Sequence, residues 1–468
     1  MGLDVNIKLK AFKEKVFRAY DVRGLYPEEL DHNTVELIAG GFAEFLKSKG
    51  DSSTSLETRK TCLLGRDIRW SSLEISEMVS DGLRARGIDV IDIGEATTPL
   101  HVFAIAQTKA SGGIMVTASH NPIKYNGLKI YKGTEALSEK SGLSEIKEII
   151  KKGIPQEVSQ IGGYIQKSYL EEYVKFLLKG VSVKRKIKAV FDAGGGAVTL
   201  VLPKILEKLQ NVEAEAIFMK PDPTLSEKEP NPLLPQAQEK IKEVVRDKKA
   251  DIGFLFDPDG DRLIVFDENA NAIRGDGILW LLARRLARAG ESVVYDIRSS
   301  KALHEDLGKE GIRCFKSRVG HSFIKEEMRL EDAALGGELS GHFYFKDFFF
   351  SESSLFAMMK ILEIVSSTEK KFSEVMGPYF RYLHSGEINL ISANKGEVVS
   401  ALEKKYFDAE RDYFDGVTFR YPGWWFNVRP SNTEDFLRLV LEAENKDLFN
   451  TKKDEVLSFT FSKGAKLA

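Results

Sequence analysis

The sequence has few cysteines, no long apolar run and almost no net charge, and each shortage excludes a class of protein. Only Cys62 and Cys314 occur in 468 residues, without a CxxC spacing, which excludes a disulfide scaffold and a zinc site built on cysteines. The most apolar stretch, 348–364, is interrupted by Ser351–Ser353 and Lys360 and falls short of the roughly 18 residues that a membrane span needs. The N-terminal residues are charged and lack the apolar core of a signal peptide. We therefore expect a cytoplasmic protein with reduced thiols.

The charges nearly cancel, since 68 basic residues face 70 acidic residues and the formal net charge is −2. Such a chain has no bulk field with which to hold nucleic acid or an anionic membrane. Any anionic ligand must therefore be held by a local group of residues. With 43% hydrophobic residues, a chain of this length can fold into about three compact units, and two to four are all reasonable.

A short apolar run followed by Asp and Gly or Ser recurs along the chain. The runs Ile187–Phe191, Ile252–Phe256 and Val293–Tyr295 are followed by such loops and then by amphipathic segments. This order predicts buried strands that lead into loops and helices, as in α/β domains with mostly parallel sheets. Asp276–Ala289 is predicted to form one such helix, with Gly290 as its stop. Ligands of α/β sheets bind beyond the carboxyl ends of the strands, so these loops are the candidate sites.

The loop Thr117–Pro122 (TASHNP) follows the apolar segment Gly113–Val116. Ser, Asn and Pro are ordinary turn residues, so a plain strand-to-turn connection is one interpretation. The other is an exposed nucleophilic or phosphorylated serine at Ser119. A histidine adjacent in sequence is expected to point elsewhere, so His120 is not thereby a general base.

Three carboxylates alternate in Asp257-Pro-Asp-Gly-Asp261, and Arg262 follows them. Asp257, Asp259 and Asp261 can converge on one hard divalent cation, and without a counter-charge they would repel one another. A solvated acidic turn is the plain alternative. An EF-hand loop fits poorly, because Arg262 stands where that loop needs glycine, although Glu268 matches its final glutamate.

Two further loops carry groups suited to a sugar phosphate. In Gly336–His342 (GGELSGH), Glu338 and Ser340 can hydrogen-bond to hydroxyl groups, although a glycine-rich turn is the plain interpretation. In the segment that starts at Arg429 (RPSNTE), a guanidinium group, two hydroxyl groups and free N–H groups predict a phosphate-binding loop. The same segment can start a helix, with Ser431 as its N-cap.

In this order and spacing the loops resemble those of the α-D-phosphohexomutase superfamily, and within it the phosphomannomutase/phosphoglucomutase group. The resemblance covers nearly the whole chain. It rests on the segments 17–24 (FRAYDVRG), 65–69 (GRDIR), 117–122 (TASHNP), 125–129 (YNGLK), 257–262 (DPDGDR), 319–325 (VGHSFIK), 336–342 (GGELSGH) and 423–434 (GWWFNVRPSNTE).

The resemblance implies four domains around a central cleft. Three would be related α/β domains with mixed sheets, and the last would be a TBP-like α+β domain. Combined with the turn-rich and polar breaks in this sequence, it predicts a phosphoserine-loop domain, a metal-binding-loop domain, a sugar-binding-loop domain and a C-terminal phosphate-binding domain. Their expected bounds are 1–165, 166–269, 270–383 and 384–468.

The family's activity implies a phosphohexomutase that interconverts hexose 1-phosphate and hexose 6-phosphate, with glucose or mannose as the sugar. A phosphoserine at Ser119 would form a hexose 1,6-bisphosphate intermediate, which is also an activator, and one Mg²⁺ per chain would be held by Ser119 and the three aspartates. The resemblance assigns catalytic roles to Ser119, Lys129, Arg23, His342, His120 and Arg262, with Lys129 as the expected general base. It assigns substrate binding to Tyr20, Arg298, His321, Glu338, Ser340, Arg429, Ser431, Asn432 and Thr433.

Three other functions stay open at this point. A phosphoglucosamine mutase usually begins with a GTDGIRG-like motif and has a GEQSGH-like loop, whereas this chain has FRAYDVRG and GGELSGH. A non-catalytic sugar-phosphate-binding protein would have lost the nucleophile or a metal ligand, and all are present here. A metal-dependent phosphatase is the third possibility. The expected partners are small phosphosugars, without nucleic acid or membrane, and the protein is expected to be a monomer or homodimer.

Overall fold

The computed structural model of this chain describes residues 12–49, 59–154, 160–431 and 436–468. The chain forms two compact units. The first comprises Met1–Ala272 and His342–Glu369, and the second comprises Ile273–Gly341 and Lys370–Ala468. Each unit is described below in chain order.

The first part of the first unit is a mixed α/β sheet. Strand β2 pairs in parallel with β3 and β4, and β3 with β7, whereas β5 is antiparallel to β1, β4 and β6. The elements are β1 (Val22–Leu25), α1 (His32–Ser48), β2 (Thr61–Arg66), α2 (Ser72–Arg84), β3 (Asp89–Glu95), α3 (Thr98–Thr108), β4 (Gly112–Val116), β5 (Tyr125–Lys132), β6 (Glu135–Ala136), α4 (Ser144–Lys152) and β7 (Tyr164–Gln166). The loop after β4 is the predicted serine loop.

A second mixed sheet follows in the same unit. Strand β8 pairs in parallel with β9 and β10, and β11 is antiparallel to β10. The elements are α5 (Leu170–Leu178), β8 (Ile187–Asp192), α6 (Leu202–Leu206), β9 (Val212–Ile217), α7 (Pro235–Lys248), β10 (Ile252–Phe256), β11 (Leu263–Phe266) and β12 (Ala272–Ile273). The predicted strands at Ile187 and Ile252 are confirmed, and the aspartate loop lies between β10 and β11.

The second unit begins with parallel strands flanked by helices. Strand β13 pairs in parallel with β14 and β15. The elements are α8 (Gly275–Leu286), β13 (Ser292–Asp296), α9 (Lys301–Lys309), β14 (Arg313–Ser317), α10 (His321–Leu330) and β15 (Leu335–Gly337). The helix predicted over Asp276–Ala289 ends three residues early, because Ala287 is extended and the Gly290 N–H already donates to the Gly311 carbonyl beside the incoming strand.

The segment 342–369 returns to the first unit and explains the apolar stretch in the sequence. Its elements are β16 (Phe343–Phe345), β17 (Ser351–Glu352) and α11 (Ser354–Ser366). Phe348 and Phe356 pack against Phe176 of α5, with ring centroids 5.9 and 6.2 Å away, so the apolar side chains form a core contact. Within the described residues, no helix is both long enough and apolar enough to span a membrane.

The end of the second unit is an antiparallel sheet with helices, an α+β arrangement. Its central strands follow the order β20, β21, β22, β23, β19, β24, and β18 also pairs with β23. The elements are α12 (Phe372–Met376), β18 (Leu383–His384), β19 (Ile388–Ile391), α13 (Lys395–Lys405), β20 (Glu410–Asp412), β21 (Val417–Tyr421), β22 (Trp424–Pro430), β23 (Leu437–Ala443), α14 (Lys446–Ser462) and β24 (Lys466–Leu467).

The helix start predicted at Ser431 is wrong. Strand β22 ends at Pro430 and β23 begins at Leu437, and the Ser431 N–H donates to the Phe436 carbonyl to close a hairpin between them. The apolar run that a helix would have used is instead strand β23. The predicted site residues Asn432 and Thr433, with Glu434, lie outside the described residues.

Candidate active site

The serine loop holds Ser119 in a strained backbone conformation. Strand β4 ends at Val116, and Ser119 has a φ of +48°, in the left-handed region that residues other than glycine rarely adopt. Its N–H donates to the Thr117 hydroxyl over 2.9 Å, which supports this turn. The backbone conformation of Ser119, as well as the side chains around it, therefore determines the direction of its hydroxyl group.

Arg69 fixes the serine loop through four backbone carbonyls, a role that the sequence analysis missed. Its Nη2 donates to the carbonyls of Ser119 and Asn121, each over 2.6 Å, and its Nη1 donates to those of Pro122 and Tyr125, each over 3.1 Å. The planar guanidinium group can serve all four acceptors because its donors point in fixed, divergent directions. The motif GRDIR, already part of the resemblance, was the only signal for it.

The predicted aspartate cluster (Asp257, Asp259 and Asp261) is confirmed as a group. All three side chains are buried, and they offer carboxylate oxygens that lie within 4.8 Å of one another. Gly260, with a φ of +72°, lets the chain turn so that alternate residues face the same point. The Ser119 hydroxyl donates to Asp257 Oδ2 over 2.9 Å, which joins the serine loop to the aspartate cluster.

Lys129 on β5 neutralises two of these aspartates. Its Nζ donates to Asp259 Oδ2 over 2.7 Å and to Asp261 Oδ2 over 2.6 Å. Burial alone would lower the pKa of Lys129, but Asp259 and Asp261 outweigh it and hold the pKa well above its usual value. In this arrangement the lysine is protonated and donates to both carboxylates, and its role as the general base stays a prediction.

The start of α3 also holds the aspartate cluster. Thr98 donates its hydroxyl to Asp259 Oδ2 over 2.7 Å and its N–H to the Asp259 carbonyl over 2.9 Å. Thr97, the N-cap of α3, accepts from the Leu100 N–H over 3.2 Å. The other carboxylate oxygen of Asp259, Oδ1, is buried and has no hydrogen-bond partner among the described residues. A buried acceptor in this state fits a cation ligand.

The two ends of the aspartate cluster have opposite electrostatic surroundings. Burial, and then the charges of Asp261 and Asp259, raise the pKa of Asp257 well above its usual value. Burial would also raise the pKa of Asp261, but Lys129, His342 and Arg262 outweigh it and hold that pKa well below its usual value. The cluster therefore brings three carboxylates to one point, and hard carboxylate oxygens are the donors that Mg²⁺ prefers.

Three more predicted catalytic residues surround the serine and the aspartates. Arg23 donates through Nη1 to Asn121 Oδ1 over 2.9 Å and through Nη2 to Asp21 Oδ2 over 2.6 Å. Arg262 Nε donates to His342 Nε2 over 3.3 Å, and the same His342 nitrogen lies 3.3 Å from Asp261 Oδ1. The first unit thus assembles Arg23, Arg262 and His342 around one centre.

His120 does not point away from the serine, so that expectation is wrong. Its Nδ1 lies 3.2 Å from Ser119 Oγ. The left-handed turn at Ser119 brings the next side chain back beside it, which linear spacing does not show. Burial, followed by the charges of Arg262 and Arg23, holds the pKa of His120 well below its usual value, so this imidazole is neutral at pH 7.

The second unit holds a separate group of predicted substrate-binding residues. Glu338 and Ser340 are both buried, and the Ser340 hydroxyl lies 3.4 Å from Glu338 Oε2. Arg298 Nη2 lies 3.5 Å from the same Glu338 oxygen. Gly275 at the start of α8 packs so closely on this loop that an added Cβ would lie 2.3 Å from the Glu338 carbonyl oxygen.

An arginine cluster (Arg298, Arg429 and Arg438) surrounds Glu387 in the second unit. Arg298 and Arg429 were predicted from the sequence, whereas Arg438 and Glu387 were not. Arg429 and Arg438 lie opposite each other on β22 and β23, and this pairing places them on the same face of the sheet. Pairing across two strands separates them in sequence, so no local motif could have shown it.

The remaining predicted residues have less specific surroundings. Tyr20 lies half-buried just before β1, and His321 is the first residue of α10 and is also half-buried. Ser431 follows β22 in the hairpin described above. Their assignment to substrate binding stays a prediction.

Family comparisons match consecutive parts of the chain. Residues 14–157, 167–272 and 274–382 match the family models for phosphoglucomutase/phosphomannomutase alpha/beta/alpha domains I, II and III, and residues 387–458 match the model for the C-terminal domain.

Individual proteins show the same likeness over most of the chain. The sequence is 35% identical over 454 residues to the phosphomannomutase of Vibrio cholerae, covering 94% of this chain and 97% of that protein. A solved phosphoglucomutase/phosphomannomutase family protein from Burkholderia thailandensis superimposes with a TM-score of 0.85 at 27% identity, covering 97% of this chain and 99% of the other. The N-acetylphosphoglucosamine mutase of Aspergillus fumigatus, with a TM-score of 0.60 at 14% identity and coverage of 97% and 98%, shares the fold alone.

Proposed function

This chain belongs to the phosphoglucomutase/phosphomannomutase family of phosphohexomutases, and from that premise we propose that it interconverts the 1- and 6-phosphates of glucose, mannose or both. The observation that carries the proposal is the hydrogen bond of 2.9 Å from Ser119 to Asp257, which places a hydroxyl nucleophile at the edge of three buried aspartates. In this proposal Ser119 carries a phosphoryl group, gives it to the substrate and takes back the other one from a hexose 1,6-bisphosphate.

The aspartate cluster is the proposed Mg²⁺ site. Asp257, Asp259 and Asp261 supply hard oxygen donors, and the unpartnered Oδ1 of Asp259 supports the fit. When bound there, Mg²⁺ would neutralise charge on the transferring phosphoryl group. The proposed cofactor is one such ion per chain.

The side chains of the first unit have defined tasks in this proposal. Ser119 supplies the nucleophilic oxygen, and its proton already lies on the hydrogen bond to Asp257. Neutral His120 offers a second acceptor 3.2 Å away. Arg23 and Arg262 place positive charge near the serine, and His342 lies beside Asp261 for proton exchange with the sugar. Lys129 would act as a base only after its ion pairs with Asp259 and Asp261 are broken.

Most of the proposed substrate contacts belong to the second unit. Glu338 and Ser340 are suited to the sugar hydroxyls. Arg429, with Ser431, Asn432 and Thr433 that follow it in the sequence, is suited to the phosphate that is not reacting. A phosphate anchor accepts the substrate in either orientation, because both ends of a hexose bisphosphate carry the same group. We assign Tyr20, Arg298 and His321 to the surroundings of the substrate.

The test combines an activity panel with a mass measurement. Glucose 1-phosphate, mannose 1-phosphate and glucosamine 1-phosphate should be assayed side by side, with and without EDTA. We expect turnover of glucose or mannose phosphate that EDTA abolishes and Mg²⁺ restores. Ser119→Ala should lose at least about 10²-fold in kcat, the scale of a lost nucleophile, and should lack the phosphate adduct that intact-mass analysis finds in the wild type.

Other outcomes separate the alternatives. A preference for glucosamine phosphate would identify a phosphoglucosamine mutase, and release of inorganic phosphate without isomerisation would identify a phosphatase. Full activity in Ser119→Ala would refute the phosphoserine mechanism. Ser322→Ala, which changes a buried serine in the second unit, is the matched control and should retain the phosphate adduct.

A further inference from the structure

Glu387 is the carboxylate that the three guanidinium groups of the arginine cluster share. It lies between β18 and β19. Its Oε2 lies 3.0 Å from Arg298 Nη1 and 2.8 Å from Arg429 Nη2, and its Oε1 lies 3.2 Å from Arg438 Nη1. Both carboxylate oxygens are therefore occupied by arginine donors.

Arg429 has fewer carboxylates in hydrogen-bond contact than Arg298. Arg298 has a second close carboxylate, since its Nη2 donates to Asp296 Oδ2 over 2.6 Å. For Arg429, Glu387 is the one carboxylate in hydrogen-bond contact among the residues that the structure describes. Burial, and then the charge of Arg298, lower the pKa of Arg429, while the charges of Glu387 and, to a smaller extent, Asp415 oppose this. The arginine is nearly fully buried and shares its counter-ion with two other cations.

Glu387 is ionised throughout the useful pH range. Burial would raise its pKa, but Arg298, Arg438 and Arg429 outweigh burial and lower the pKa to about 2. A permanent carboxylate in contact with a guanidinium group makes the same kind of charge-assisted hydrogen bonds that a phosphate oxygen would make.

We propose that Glu387 is an internal anion that occupies Arg429 in place of the substrate's distal phosphate, and that the phosphate binds by competing with it. This inference rests on the proposed function, in which Arg429 holds that phosphate. A phosphate dianion brings more charge and more acceptor oxygens than the shared carboxylate, so exchange is favourable. When the carboxylate returns to Arg429, it promotes release of the phosphate. A mutase needs this release because its bisphosphate intermediate must reorient between the two phosphoryl transfers. Glu387 is thus a positioning residue that weakens phosphate binding.

A purely structural role for Glu387 predicts the opposite sign. If the carboxylate only aligned the arginines for phosphate, its loss would weaken phosphate binding. Under the competition proposed here, removing its charge frees Arg429 and strengthens binding. The direction of the change in affinity therefore decides between them.

The experiment measures the binding of inorganic phosphate to the full chain by titration calorimetry at fixed, low salt. Glu387→Gln keeps the shape of the side chain and removes its charge, and we expect phosphate to bind about tenfold more tightly, the scale of one charge-assisted hydrogen bond. Glu387→Asp keeps the charge but withdraws it by one methylene group, so a smaller change in the same direction is expected. Glu444→Gln is the matched control, because Glu444 pairs with Lys301 in the same unit over 2.9 Å and should leave phosphate affinity unchanged.

Equal or weaker phosphate binding in both Glu387 variants, with the wild-type circular dichroism retained, overturns the competition. If Glu387→Gln does not fold, Glu387→Asp alone decides the direction. In the mutase assay Glu387→Gln should lower KM and also lower kcat, because release becomes slower, whereas simple misalignment would raise KM.

Arg429→Ala separates this inference from the proposed function. The increase in affinity should vanish when Glu387→Gln is combined with Arg429→Ala. If Arg429→Ala by itself leaves phosphate affinity at the wild-type value, Arg429 is not the phosphate site and that part of the proposed function fails. If Arg429→Ala weakens binding but Glu387→Gln does not strengthen it, only the competition is wrong.

Discussion

At the scale of single residues, the buried lysine beside the aspartate cluster is paired with two carboxylates and is shielded from solvent. Lys129 donates to Asp259 and Asp261, and all three side chains are buried. Removing one member of a buried charge group usually costs more than the group contributes, because the remaining charges are left without compensation. The lysine therefore supports the fold of the first unit as well as the proposed reaction.

We predict that Lys129→Met lowers the free energy of unfolding by about 3–5 kcal/mol in EDTA, the range for a broken buried ion pair. Added Mg²⁺ should recover part of this loss, because a ligand that binds only the folded state stabilises it. Thermal unfolding with and without Mg²⁺ measures both effects. Lys228→Met is the control: Lys228 forms a buried pair with Asp192, which is not a member of the aspartate cluster, so Mg²⁺ should not rescue it. Equal rescue of both variants would contradict the assignment.

A buried histidine in the same unit makes stability depend on pH. His101 on α3 is fully buried, and its Nε2 lies 3.2 Å from the Leu63 carbonyl oxygen. Burial, opposed by backbone hydrogen bonds, lowers the pKa of His101 from 6.5 to about 4. Between these values the unfolded chain binds a proton and the folded chain does not, so the stabilisation is complete above pH 6.5 and is lost as the pH falls to about 4.

The expected loss from His101 over that interval is about 3 kcal/mol, from 2.5 pKa units. Urea unfolding of the wild type and of His101→Gln at several pH values tests it, because the advantage of the wild type should shrink by this amount toward pH 4. His32→Gln replaces an exposed histidine on α1 and serves as the control. A constant difference between wild type and His101→Gln would refute the prediction.

At the scale of elements, the serine loop depends on a residue from the loop before α2. Arg69 binds four carbonyls of the segment 119–125, which links the end of β4 to the start of β5. The loop contains the strained Ser119, and such a conformation persists only when its surroundings hold it. The geometry of the nucleophile is thus determined outside its own motif.

We predict that Arg69→Lys lowers kcat by about 10²-fold, the effect of misplacing a reacting group by roughly 1 Å. An ammonium group cannot reach four carbonyls that a planar guanidinium group spans. Steady-state kinetics should show the fall in kcat, while the hexose phosphate KM stays near the wild-type value. Arg84→Lys on α2, where Arg84 Nε also donates to a carbonyl, is the control and should keep its activity. Normal turnover in Arg69→Lys would show that the serine loop keeps its conformation without the guanidinium group of Arg69.

At the scale of the whole molecule, the sequence predicted those parts of the fold that depend on contiguous residues. The strands at Ile187, Ile252 and Val293, the aspartate loop and the four-domain family fold are confirmed, because apolar runs and short motifs determine them locally. The predicted end of α8, the helix start predicted at Ser431 and the predicted orientation of His120 were wrong, since each depends on a turn or on a neighbouring strand. The predicted domain bounds stay predictions.

The site shows the same division. Asp257, Asp259 and Asp261 could be grouped from the sequence because they alternate within one turn. Arg69, Thr98, Glu387 and Arg438 could not, because their partners lie far along the chain and no local spacing reports such contacts. The protonation of Lys129 also depends on two aspartates that only the folded chain brings to it.

The sequence separation between Lys129 and its aspartate partners also affects when the first sheet can become fully stable during synthesis. Asp259 follows the lysine by 130 residues and Asp261 by 132. At about 5–20 residues per second, a ribosome needs roughly 6–26 s to add that length. During this interval the emerging β4–β5 region holds an ammonium group whose two carboxylates have not yet been synthesised. The first sheet therefore reaches its full stability only when the second has left the ribosome.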